Sequence, residues 1–164
     1  MEIRVTNYVD ETKHGKIYTS CLDSILQVRK INKLSKFVIP LSGNSWHKYV
    51  PNGSRLIRIE DFDVRKELAP SKRLLDSLKH NLLGISEFEM TYALEMEENG
   101  CGKSIEELAQ ESLSGTTLVI FGFAKSGKPC HRYMLGKLIA RAVKRVSNSR
   151  HRAKLKAYAG ELVI

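Results

Sequence analysis

The sequence predicts an α+β fold: a mainly antiparallel sheet of about five strands, three to four packed helices, and a basic C-terminal helix. Three observations lead there. Phe88, Met90, Tyr92, Leu94 and Met96 alternate with Glu89, Thr91, Ala93, Glu95 and Glu97, the pattern of a strand with one buried and one wet face. Met134, Leu135, Leu138, Ile139, Ala142, Val143 and Val146 recur at spacings of one and three, an amphipathic helix. The 164 residues, 42% apolar, suit a single domain with its own core.

The elements follow in order. Glu2 to Val9 reads as a first strand and Lys13 to Lys16 as a turn. Ile17-Tyr18-Thr19 is strand-like, whereas Cys21 to Asn32 is ambiguous between strand and helix. Phe37-Val38-Ile39 is a strand ended by Pro40. Asn52-Gly53 marks a turn, and Arg55 to Val64 alternates as a strand. Pro70 opens a helix with Leu74, Leu75, Leu78 and Leu82 on one stripe, closed by Gly84. After strand 87–97, Ser104 and Glu107 form a capping box for a short helix ending at Gly115. Thr116 to Ala124 is a buried strand. The last long helix spans about Pro129 to Ser147, a mobile break covers Asn148 to Arg152, and Glu161 to Ile164 is a final strand. Residues 1–147 are expected to form one domain and 148–164 a basic extension packed on it or continuous with it.

Charge is distributed unevenly. The net charge is +9. Lys125 to Gly160 holds eleven Lys and Arg and no acid, whereas Ser86 to Ser112 holds eight Glu against Lys103 alone. Such a basic block favours an acidic partner. The sequence reading is therefore a nucleic-acid-binding protein, RNA or DNA, contacting the phosphate backbone with little sequence specificity. Its footprint is Lys125, Lys128, Lys137, Arg141, Lys144, Arg145, Arg150, Arg152, Lys154 and Lys156. No RNP, KH, zinc-finger or helix-turn-helix pattern accompanies it. The same surface suits a matrix-like assembly protein on an anionic membrane, and opposed acidic and basic segments suit a homo-oligomer.

Chemistry-bearing motifs are sparse. Gly122 to Lys128 has the G-x-x-x-x-G-K spacing of a phosphate loop, but Pro129 stands where Ser or Thr would hold a metal. Nucleotide hydrolysis is therefore not expected, and a looser phosphate contact before the helix is. Asp61 and Asp63 share one side of a strand and give a second alternative, a metal-dependent nuclease. His14, His47, His80, His131 and His151 are dispersed, and no zinc spacing occurs. Trp46 and Tyr49 near His47 and Lys48 suit base stacking or core packing equally. Cys130 and His131 are adjacent, so on a helix they diverge by about 100°. A reactive thiol near a helix start, beside Lys128 and Arg132, is expected without catalysis. No cofactor, metal or catalytic residue is assigned. Three widely spaced cysteines, an acidic start and no long apolar run point to a reducing, cytoplasmic or nuclear setting.

Overall fold

A computed structural model describes residues 17–22, 35–41, 62–124 and 128–161, the side chains of 35 and of 151–161 aside. Four strands form one sheet: β1 (Ile17–Cys21), β2 (Ser35–Ile39), β3 (Phe62–Val64) and β4 (Thr117–Gly122). Their order is β1-β4-β2-β3, and every pairing is parallel. The antiparallel sheet expected from sequence is thus overturned. β4 explains why: all six of its residues are buried. A strand covered on both faces reads as a continuous apolar run, the mark of a parallel sheet.

The expectation failed because 87–97 is not a strand. It lies within helix α2 (Ile85–Glu98), which follows α1 (Lys72–Lys79) and precedes α3 (Gly102–Leu113). Phe88, Tyr92 and Met96 are buried at spacings of four, while Met90 and Leu94 face outward at 62% and 50% exposure. A period of two contains every fourth residue, so half of the alternating set also satisfies a helix. Glu, Met, Leu and Ala favour the helix, and Thr91 is the lone β-branched residue within 87–97.

Local chemistry sets the ends. Ser71, after Pro70, caps α1 by accepting the Leu74 N–H at 3.1 Å. The helix stops at His80, and Asn81 takes φ 54°. Gly84 begins α2 instead of closing α1, and the Glu87 carboxylate accepts its N–H at 2.8 Å. The Ser104–Glu107 capping box does not form. Ser104 donates to Glu67 at 2.8 Å, and Glu107 accepts from Arg65. The last helix, α4, runs unbroken from His131 to Glu161, so the break expected at 148–152 is absent. The strand expected at 2–9 lies outside the described residues; of the strand expected at 55–64 only β3 (Phe62–Val64) is described, and of that expected at 161–164 only Glu161, which closes α4.

α3 and α4 pack against the sheet and α2 against α4. Ile17, Val38, Leu118 and Ile120 share one core with Tyr92, Leu108, Leu135 and Ile139. The opposite face gathers Phe37, Ile39, Phe62, Val119 and Phe121, the three rings in tilted and edge contacts at 5.4–6.3 Å. At Gly136, α4 faces the sheet: a Cβ there would stand 3.6 Å from Thr19 Cγ2 and 3.8 Å from Ile120 Cδ1, ordinary contact. No helix among the described residues is long and apolar enough to cross a membrane.

Candidate active site at the carboxyl edge of the sheet

In open parallel sheets, ligands bind beyond the carboxyl ends of the strands, where loops lead into helix N-termini. Here β2 ends at Ile39, just before Pro40, β4 at Gly122, and α4 begins at His131. Cys130 immediately precedes that helix, and its carbonyl accepts the Tyr133 N–H at 3.2 Å. It is not a helical residue, so the 100° divergence expected from sequence does not hold. Cys130 Sγ lies 3.9 Å from His131 Nδ1.

His131 is 4% exposed, and its Nε2 lies 3.0 Å from the Pro40 carbonyl. A carbonyl only accepts, so Nε2 carries the proton and Nδ1 presents its lone pair to the thiol. Burial pushes the imidazole pKa down to about 4; the Pro40 bond opposes this and the charge of Arg132 reinforces it. The ring is therefore neutral at pH 7, packed 5.9 Å from the Tyr92 ring. It orients the thiol and does not store a proton.

That depressed pKa makes stability pH-dependent. The unfolded imidazole titrates near 6.5 and the folded one near 4, so between these values the unfolded chain binds more protons. Stability is full above pH 6.5 and falls by about 1.4 kcal/mol per pH unit as the pH drops towards 4. Urea unfolding across this window is expected to show that slope, and His131→Asn to flatten it.

Arg132, one of the eleven cations between Lys125 and Gly160, is 1% exposed. Its guanidinium donates from Nη1 to the Ala124 carbonyl and from Nη2 to the Tyr133 hydroxyl at 2.7 Å. It lies 4.5 Å from the Tyr133 ring centroid. Gly122 explains how these groups fit. A Cβ on Gly122 would stand 2.6 Å from Cys130 Sγ and 3.3 Å from Arg132 Cδ and Nη1. The thiol and the guanidinium thus share the space of a missing side chain. This accounts for the glycine of the apparent phosphate loop, which lies inside β4; Lys125, Ser126 and Gly127 are outside the described residues.

The expected footprint divides. Lys128, Arg141, Lys144 and Arg150 are exposed, and among the described residues no ion pair holds them. Lys137 pairs with Glu89 at 2.8 Å and Arg145 with Glu106 at 2.7 Å, so acidic helices neutralise part of the basic one. Arg152, Lys154 and Lys156 continue α4, and Lys125 lies outside the described residues. Of the expected carboxylate pair, Asp61 and Asp63, only Asp63 lies among the described residues. It is held by Arg65 at 2.8 Å and Lys36 at 3.0 Å. Burial opposes the charged form of Asp63, but these hydrogen bonds outweigh it and hold the carboxyl below its ordinary range. Lys36 and Arg65 continue to Glu111 and Glu107, tying β2 and β3 to α3. No group of three metal-ligating side chains occurs among the described residues.

Sequence reasoning missed Gly122 as the residue that makes room for the thiol. Cys21 is the register partner of Gly122 across β1 and β4. A glycine closing an otherwise apolar strand was the available signal. The third cysteine is elsewhere. Cys101 Sγ donates to the Glu67 carbonyl at 3.1 Å, and burial, with the Glu67 charge, pushes its pKa up.

Residues 45–143 match the family model DUF488-N3a, described as the active DUF488-N3 subclade. This is more than half of the chain, which therefore belongs to that family. The match includes Gly122, Cys130, His131 and Arg132 and excludes Cys21 and the basic residues beyond 143. No curated protein and no solved structure matches the chain.

Proposed function

We propose that this member of the DUF488-N3 subclade is a thiol-dependent enzyme, with Cys130 as the nucleophile acting on an anionic electrophile. One observation carries the reading: Cys130 Sγ sits at the carboxyl edge of a parallel sheet, 3.9 Å from Nδ1 of a neutral His131, beside the Gly122 space that the buried Arg132 side chain also borders. His131 fixes the direction of the S–H bond. A thiolate formed there faces a guanidinium and the positive end of a 31-residue helix. Exposed Lys128 at the entrance favours a negatively charged substrate. The site supplies nucleophilic attack by sulfur, with positive charge fixed where a negative intermediate would develop.

The test is site-resolved alkylation with iodoacetate followed by peptide mass mapping at pH 7. Cys130 is expected to react at least tenfold faster than Cys101, whose thiol is buried against the Glu67 carbonyl. His131→Asn is expected to slow Cys130 alone. Equal or slower reaction of Cys130 would defeat the proposal.

A second reading, nucleic-acid binding along α4, is favoured by the exposed Lys128, Arg141, Lys144 and Arg150. Four phosphate contacts give a slope of about −3 to −4 in log K against log salt. Anisotropy of labelled single-stranded RNA, single-stranded DNA and duplex DNA across a salt series measures it. Arg141→Glu with Lys144→Glu and Arg150→Glu is expected to abolish binding without changing Cys130 alkylation. Binding that survives this variant removes α4 as the footprint.

A further inference from the structure

Cys21 has no role in the site so far, yet the sheet brings it there. It closes β1 opposite Gly122 of β4, and the two Cα atoms are register partners in a parallel pair. Side chains alternate along the strand. Ile17 belongs to the core beneath the helices, and Thr19 Cγ2 lies against Gly136 of α4, so Cys21, of the same parity, is on the α4 face. The Cβ that Gly122 lacks would point to that same face, into Cys130 Sγ at 2.6 Å. The Cys130 sulfur therefore occupies the position of a residue-122 side chain, next to Cys21. Neighbouring strands stand ~4.8 Å apart, so a sulfur 2.6 Å from the residue-122 Cβ position lies about one strand spacing from Cys21. Cys21 is only half-buried, so reagents and a departing thiol have access to it.

We propose that Cys21 is the resolving thiol of this site: it attacks the adduct on Cys130 and leaves a Cys21–Cys130 disulfide. The inference rests on Cys130 being the nucleophile. The oxidant is a low-molecular-weight disulfide. Cys130 sulfur attacks one of its sulfurs, the reagent S–S bond breaks, and one thiolate leaves and takes up the Cys130 proton. A mixed disulfide remains on Cys130. Cys21 sulfur then attacks Cys130 Sγ, the mixed disulfide breaks, and a second thiolate leaves with the Cys21 proton. Two protein thiols are oxidised by two electrons, and one reagent disulfide becomes two thiols.

The sequence explains why this arrangement needs a glycine in β4. Any side chain at 122 would occupy the volume in which the two sulfurs meet. Cys101 takes no part, being committed to the Glu67 carbonyl beneath α3.

The experiment uses full-length protein carrying Cys101→Ser, with and without Cys21→Ser, and oxidised glutathione as the probe. Intact mass and released glutathione are followed together, with circular dichroism as the check on folding. With Cys21 present, two glutathiones per protein are expected and the product is lighter by two hydrogens, with peptides 21 and 130 linked. With Cys21→Ser, release stops at one, and a single glutathione stays on Cys130. A stable Cys130 adduct of equal lifetime in both proteins would overturn the role of Cys21 while leaving Cys130 as nucleophile. Absence of any Cys130 adduct in either would overturn both.

Discussion

Gly122→Ala is expected to be among the most damaging single-methyl additions in this protein. Gly122 does not have a positive φ, so the backbone itself accepts alanine. The cost comes from contact: the new Cβ would stand 2.6 Å from Cys130 Sγ and 3.3 Å from Arg132 Cδ and Nη1. Neither neighbour can yield easily. Arg132 is fixed on the Ala124 carbonyl and the Tyr133 hydroxyl, and Cys130 is 8% exposed at the start of α4. Overpacking of this kind costs about 1–3 kcal/mol, and each kcal/mol lowers Tm by about 2–4 °C in a domain of this size. The displaced thiol is expected to lose its selective alkylation as well. Gly136→Ala is the matching control. Its Cβ meets neighbours at 3.6 and 3.8 Å, ordinary contact inside a helix, so a gain of about 0.5–1 kcal/mol is expected. Thermal unfolding of the two variants beside the parent protein checks both signs. A neutral Gly122→Ala would show that Cys130 does not occupy the side-chain space of residue 122.

Tyr92→Ala and Leu94→Ala are expected to differ sharply although the residues are two apart. Tyr92 is fully buried, and its hydroxyl donates to the Leu68 carbonyl at 2.7 Å. Removing the ring leaves a cavity and an unsatisfied carbonyl, a loss of about 3–5 kcal/mol. Leu94 is half exposed on the outer side of α2, so its truncation should change stability by about 0.5 kcal/mol or less. A strand over 87–97 would bury both on one face and make the two losses comparable. Urea unfolding of the two variants therefore distinguishes helix from strand without a structure.

That contrast also shows what was legible in the chain. Strands at Ile17, Phe37 and Thr117 and the helices beginning near Ser71, Gly102 and His131 were visible as apolar runs and 3–4 spacings. Sheet direction was not, because it was inferred from one segment whose period of two also contained a period of four. The unbroken apolar run from Leu118 to Phe121 is the sequence feature that accords with parallel pairing. The basic helix was legible, but its ion pairs were not: Lys137 with Glu89 and Arg145 with Glu106 join residues 48 and 39 positions apart. The thiol site was the least legible part. Strand register pairs Cys21 with Gly122, and the turn into α4 sets Cys130 against Gly122, so neither neighbour is visible in the sequence spacing.

The unbroken course of α4 has a metric consequence. A helix of 31 residues is about 46 Å long. From His131 at the thiol to Arg150 the rise is about 28 Å, well beyond the span of a single nucleotide. A small anion held at Cys130 cannot touch the distal cations, and a ligand that engages both ends must be a polymer of several units. If short and long anionic ligands protect Cys130 from alkylation equally, the far end is irrelevant to the thiol. If protection strengthens only beyond that length, the two ends read one extended molecule.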